Sequence, residues 1–259
     1  MLRPYQSALV YEVQKLVAVG HPRILLQLPT GAGKTQIAAD LARLAGSRRI
    51  LYIVPSDEIL GQTSEKLTAV KVAHVVLNAK TQPDLAGARC VLAMSQTLAR
   101  RLPRGALDTW GPPDLIFVDE AHKLIEQHRA VLDHWPTVPV IALTATPVRL
   151  DGKPLAALWP VLLCGPSIKS LIKQKFLVPC LTIPAPMPDL REVRVRAGDY
   201  AADDLDRVFG TAHMTNLVPR WWLMHAKGRR TIAFTSGVAS SQKLVEAYRA
   251  AGVRALHVD

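Results

Sequence analysis

Cysteine is scarce in this chain: Cys90, Cys164 and Cys180 are the only three, far apart and never in a C-x-x-C pair. That spacing offers neither a zinc site nor a disulfide framework, so buried, reduced thiols are expected. Long apolar runs are missing too. The longest, residues 155–164, is interrupted by Pro160 and falls far short of the roughly 20 residues a membrane-spanning helix needs. The opening MLRPYQSALVYEVQ lacks the charged-then-apolar layout of a signal peptide, and no internal repeat or low-complexity tract follows it. A cytosolic (cytoplasmic), unprocessed globular chain is the expectation.

What is present points the same way. With 259 residues, 49% of them apolar, the chain can bury a sizeable core as one large domain or two small ones. Its 32 Lys and Arg against 21 Asp and Glu give a net charge of +11, which suits a polyanionic partner because neutralising phosphates releases counterions. Charge alone does not choose between DNA and RNA.

Apolar runs of four to six residues alternate with helical periodicity, the pattern of a parallel sheet covered on both faces. Helices are expected at about 5–19, 34–44, 58–69, 96–101 and 124–132, and strands at 24–28, 50–54, 74–77, 90–94, 115–118 and 140–143. Between Pro147 and Pro188 prolines recur and the periodicity weakens, leaving one helix at 167–176 and an extended stretch at 180–183. Beyond it come a helix at 215–226, a strand at 231–235, a helix at 240–251 ended by Gly252 and a strand at 254–258. The expected domains are therefore 1–165, a linker over 166–190, and the opening elements of a second α/β domain over 191–259.

Two strings carry chemistry. LPTGAGKT, residues 28–35, joins a strand to a helix. Its glycines, Gly31 and Gly33, let backbone N–H groups of Thr30, Gly31, Ala32, Gly33, Lys34 and Thr35 turn toward phosphates, while the Lys34 ammonium and Thr35 hydroxyl suit a β,γ-phosphate and Mg2+. Leu28 stands where the strict pattern G-x-x-x-x-G-K-[ST] wants glycine. DLIFVDEAH, residues 114–122, ends a buried strand with adjacent carboxylates. Asp119 suits the metal, and Glu120 suits the base that activates the attacking water, with Lys34 completing the catalytic set.

The phosphate loop, the quartet Asp119, Glu120, Ala121 and His122, and the later tripeptide Thr144, Ala145 and Thr146 resemble, in order and spacing, the DEAD/DEAH-box helicases of superfamily 2, particularly the motors of restriction enzymes and repair helicases. The resemblance covers nearly all of the chain. It implies a RecA-like P-loop NTPase domain followed by an incomplete second α/β domain, with ATP and Mg2+ as cofactors and nucleic acid, DNA by the kind of relative, as partner. LRPYQ at 2–6 resembles the adenine-reading segment, in which the Gln6 amide matches the edge of adenine; a solvated glutamine on a first helix is the other reading. Pro55, Gln62, Thr63, Ser95, Gln96 and Thr97 resemble segments that contact the nucleic-acid backbone, although Ser56 and Asp57 depart from the pattern. For His122 the resemblance implies coupling of the γ-phosphate to Thr144 and Thr146.

Other groups read more plainly. Trp221 and Trp222 could stack on bases, but their helical setting suits core packing in the second domain better. Arg100, Arg101 and Arg104 read as a solvated basic face or a phosphate patch. TIAFTSG at 231–237 resembles the first motif of the family's second domain, and no glycine-and-paired-arginine segment follows it within these residues. The family's arginine finger is thus expected outside them, and its loss costs ~10³ to 10⁵ in rate. The sequence is expected to be a helicase or translocase fragment, or a half completed by a partner chain. A catalytically silent ATP- and nucleic-acid-binding module is the alternative, and an unrelated P-loop ATPase is disfavoured by the DEAH and TAT strings together.

Overall fold

The apolar runs pair into one sheet in the computed structural model, which describes residues 2–81, 83–123, 125–148, 155–185, 188–196 and 199–258. Strands β1 (Arg23–Gln27), β2 (Ile50–Val54), β3 (Val75–Leu77), β4 (Cys90–Met94), β5 (Leu115–Val118), β6 (Val140–Thr144) and β7 (Val161–Cys164) lie in the order β3-β4-β2-β5-β6-β1-β7. Every pairing is parallel. A parallel sheet must be covered on both faces, and the period of two in each strand feeds two separate cores. Along β5, Leu115 and Phe117 join Leu26, Leu28 and Ile37, whereas Ile116 and Val118 join Leu25, Leu51 and Trp159.

Helices α1 (Pro4–Ala18), α2 (Lys34–Leu44) and α3 (Asp57–Ala69) supply Leu9, Val13, Leu41 and Leu67 to the first core. Helices α4 (Ser95–Arg101) and α5 (Ile125–His134) supply Leu98, Val131 and Leu132 to the second. Local chemistry fixes their starts. Pro4 opens α1, where a missing N–H costs nothing. Ser56 Oγ accepts the Ile59 N–H at 3.4 Å to cap α3, and Asp57 and Glu58 meet the positive end of that helix. A sixth helix, α6 (Ile168–Lys173), follows β7.

Because all strands run one way, their carboxyl ends share one edge. The order places β6 between β1 and β5, so the loops after these three strands are neighbours at the edge where chain order reverses, the usual ligand crevice of open α/β sheets. The expected elements of this unit match within two residues, except that Leu124, the first residue of the expected fifth helix, lies outside the described residues and the helix over 167–176 ends at Lys173. Strand β7 was hidden inside the proline-interrupted apolar run 155–164, because an edge strand of alternating half-buried and exposed residues has no helical or fully buried signature.

The chain divides between Pro179 and Cys180 into two compact units. In the second, β8 (Val195–Arg196) and β9 (Asp199–Tyr200) form an antiparallel ribbon, and α7 (Ala202–Phe209), α8 (Ala212–His225) and α9 (Val238–Ala250) are helical. The expected strands at 231–235 and 254–258 are not formed: these segments pair with no strand among the described residues, leaving Ile232, Phe234, Leu256 and Val258 exposed. A strand exists only through its neighbour's hydrogen bonds, so apolar pattern alone did not suffice. Trp222 packs edge-on against Tyr248 with ring centroids 5.9 Å apart and donates to Thr231 Oγ1, in keeping with the packing reading. Among the described residues no helix is long and apolar enough to cross a membrane. One further correction concerns the cysteines. Only Cys90 is buried, its thiol pushed up to about 12 by burial, while Cys164 and Cys180 are exposed.

Candidate functional site

Lys34 opens α2 directly after Gly33, which adopts a left-handed backbone at φ 82°, as Gly31 does at φ 80°. These conformations suit glycine alone, and a Cβ on Gly33 would fall 2.5 Å from Gln6 Nε2. The loop is held by its Ala32 carbonyl, which accepts from Gln6 Nε2 at 2.9 Å and from the Tyr5 hydroxyl at 2.8 Å. The amides of Gly33, Lys34 and Thr35 donate to no carbonyl outside the helix among the described residues, so the first turn presents free donors. Lys34 is buried, and no carboxylate forms an ion pair with its ammonium among the described residues. A buried ammonium that makes no ion pair among the described residues is available to an anion at this loop.

Asp119 directly follows β5, and its amide donates to the Ile53 carbonyl at 2.8 Å. It is 3% exposed, and burial pushes its carboxyl up to about 6, helped by the neighbouring Glu120 charge and opposed by the Glu120 N–H, the Lys34 ammonium and the Thr35 hydroxyl. The phosphate-loop and DEAH residues therefore meet: Lys34 and the Thr35 hydroxyl are near enough to the Asp119 carboxyl to oppose the rise in its pKa. A hard divalent cation fits this donor pair. No cluster of three or more His, Cys, Asp or Glu capable of holding a metal exists among the described residues, so the remaining ligands would be phosphate oxygens and water, the usual arrangement for Mg2+.

Metal-free, the buried carboxyl gives a pH prediction. A folded-state pKa above the unfolded 3.8 means that the folded protein binds the extra proton between about pH 4 and 6, so this group's contribution to stability falls as pH rises through that window. The gap from 3.8 to about 6 is equivalent to roughly 3 kcal/mol. Asp119→Asn should thus gain up to about that much relative to the parent between pH 4 and pH 7 in denaturant melts without Mg2+. A difference that does not change with pH would contradict the burial of an ionisable carboxyl here.

Glu120 adopts φ 47°, an uncommon left-handed conformation for a residue with a side chain. Its amide donates to Asp119 Oδ1 at 2.9 Å, and its carboxylate lies 3.4 Å from His122 Nδ1. His122 Nδ1 is 2.9 Å from Thr144 Oγ1, whose own proton goes to the Thr146 carbonyl at 2.7 Å. Thr144 Oγ1 must then accept, which assigns the proton of His122 to Nδ1. Burial lowers the His122 pKa, outweighing the raising effect of Glu120, which favours the neutral ring. Glu120, His122, Thr144 and Thr146 thus form one connected chain across the ends of β5 and β6.

The expected nucleic-acid contacts are dispersed. Pro55 is half-buried and Gln62 exposed, its amide reaching only Glu58 at 3.5 Å. Thr63, Ser95 and Thr97 are buried instead. Ser95 Oγ donates to the Val54 carbonyl at 3.0 Å and lies 3.2 Å from Nε2 of the buried His128, so this hydroxyl ties β2 to α5 and faces no solvent. Among the arginines, Arg100 and Arg104 are exposed, but Arg101 donates to the carbonyls of Thr81 and Ala79 and braces a loop. Sequence reasoning missed Tyr5, although it lies within LRPYQ, and it missed His128 and Phe176, whose contacts are made by residues distant in sequence.

Residues 1–149 match the family model described as "Type III restriction enzyme, res subunit". Over 238 residues the chain is 26% identical to a 51.5 kDa protein of a Lactococcus phage (isolate 7-9), covering 91% of this chain and 48% of that protein. Over 255 residues it is 27% identical to the putative ATP-dependent helicase IRC3 of Saccharomyces cerevisiae, covering 91% of this chain and 36% of that one. The chain thus spans about half, or less, of the length of these relatives. Among solved structures, a nuclease-deletion mutant of the Type ISP restriction-modification enzyme LlaGI in complex with a DNA substrate mimic shares the fold, with a TM-score of 0.54 at 16% identity over 68% of this chain and 21% of that one.

Proposed function

This chain belongs to the family of the type III restriction enzyme res subunit, and on that premise we propose that it is the ATP-binding portion of a superfamily 2 DNA helicase or translocase. The observation that carries this reading is the meeting of the phosphate loop with the end of β5, where Lys34 and Thr35 lie near enough to the buried Asp119 carboxyl to lower its pKa and Lys34 makes no ion pair among the described residues. Lys34 and the free amides of Gly33, Lys34 and Thr35 bind the β- and γ-phosphates, together with the loop residues Thr30, Gly31 and Ala32. Thr35 and Asp119 would hold Mg2+, which would neutralise charge developing on the phosphates. Glu120 orients the attacking water and takes its proton. His122, Thr144 and Thr146 form the hydrogen-bonded path by which the occupancy of the phosphate site reaches the end of β6.

Gln6 keeps one N–H and one lone pair after its bonds to Ala32 and to the Arg3 amide, the pair that adenine would take. Nucleic acid, with DNA supported by the restriction-enzyme relatives, is bound near Pro55 and Gln62, and the charge of +11 favours it. In this reading residues 1–165 are the first RecA-like domain, 166–190 the linker and 191–259 the start of the second. An arginine finger is supplied from outside these 259 residues, by further chain or by a partner subunit. ATP turnover measured with and without single-stranded or duplex DNA tests the proposal. Slow turnover with detectable ATP binding is expected. Substantial DNA-stimulated turnover by these residues alone would contradict the external arginine, and absence of ATP binding would contradict the reading as a whole.

A further inference from the structure

The segment after α6 lies against the phosphate loop. It turns at Lys175, whose backbone is left-handed at φ 62°, and places Phe176 and Leu177 on α1 and the loop. The Phe176 ring meets Tyr5 edge-on, with centroids 5.3 Å apart, and the Arg3 guanidinium lies 5.1 Å from the Phe176 centroid while donating to the Tyr5 hydroxyl at 3.2 Å. That same hydroxyl holds the Ala32 carbonyl, and the Leu177 side chain is so close to Gly31 that a Cβ there would lie 3.0 Å from it. Arg3, Tyr5 and Phe176 are all half-buried, so each keeps part of its surface open to solvent.

This cluster has nothing to offer a phosphate beyond one cation, yet it stands beside Gln6, the group with a spare donor and acceptor, on the side of the loop where Gly31, Ala32 and Gly33 face α1 and the segment after α6. Aromatic and guanidinium planes bind flat π-systems by stacking and cation–π attraction. We propose that Phe176, contributed from outside the 1–149 stretch that carries the family's motifs, is the base-side wall of the nucleotide site and binds the purine ring of the nucleotide with Arg3 and Tyr5. The inference rests on the reading of this site as an ATP site and names the residue that stacks on its base.

Competition measurements on the full 259-residue chain separate the base from the phosphates, using ATP and inorganic tripolyphosphate as probes, each with Mg2+, in the parent and in Phe176→Ala, Phe176→Leu and Phe176→Tyr. Base stacking contributes enough that Phe176→Ala should weaken ATP about tenfold or more, while tripolyphosphate stays within about twofold of the parent, the error expected of a contact not made. Phe176→Leu keeps apolar bulk for folding but should lose ATP affinity like the alanine variant, and Phe176→Tyr should restore it. Equal weakening of both probes would overturn the proposal, since Phe176 would then act only by bracing the phosphate loop. Parental ATP affinity in Phe176→Leu would overturn it as well. A parent chain that binds neither probe would instead refute the ATP site on which the inference rests.

Discussion

Glu120→Gln should retain ATP binding and lose hydrolysis by about 100-fold or more, the contribution typical of a positioned general base. The substitution is nearly isosteric, so the left-handed backbone at φ 47° and the contact with His122 at 3.4 Å need not change. What disappears is the ability to accept a proton. Asp119 cannot substitute for it, because its carboxylate is buried, accepts the Glu120 amide, and would be taken up by the cation. Single-turnover hydrolysis with saturating ATP checks this, since it removes binding from the measured rate. Turnover equal to the parent would remove Glu120 from the role of base and leave His122 as the remaining titratable group on that chain of bonds.

Lys34→Ala should have the second large effect, and on binding itself. A buried ammonium contributes charge-assisted hydrogen bonds to phosphate, each roughly twice as strong as a neutral one, and here no protein carboxylate competes for it among the described residues. We expect ATP affinity to fall at least about 100-fold, the loss of two such bonds at roughly 1.5 kcal/mol each. The same burial predicts the opposite sign for the ligand-free fold. The nearby Asp119 carboxylate offsets only part of this charge, and with no ion pair to lose among the described residues the unliganded protein should stay at least as stable as its parent. Loss of both binding and stability would mean that Lys34 is a structural partner of something else.

The parts of this site that were legible in the sequence are those whose chemistry is local. Gly31, Gly33, Lys34 and Thr35 are contiguous, and their geometry follows from a glycine turn entering a helix, which is why helix 34–44 and the phosphate loop are found where expected. Asp119 and Glu120 were legible because a buried parallel strand must end at the ligand edge. The meeting of the two strings depends instead on the order β5-β6-β1, which no local pattern encodes. Ser95 looked like a phosphate contact from its neighbours in sequence, yet its hydroxyl is taken by Val54 and His128, residues far from it along the chain. Phe176 was invisible for the same reason. The segments at 231–235 and 254–258 carry strand-like composition, but a strand also needs a neighbour, and among the described residues none pairs with them.

A calorimetric titration of ATP, with and without Mg2+, into the parent chain and into Lys34→Ala tests most directly whether the phosphate loop and the end of β5 build one nucleotide site. The account predicts saturable binding by the parent that tightens with Mg2+, because Thr35 and Asp119 complete the cation's shell only when phosphate oxygens are present, and no measurable binding by Lys34→Ala. Binding that ignores Mg2+, or an affinity unchanged by the loss of Lys34, would contradict it.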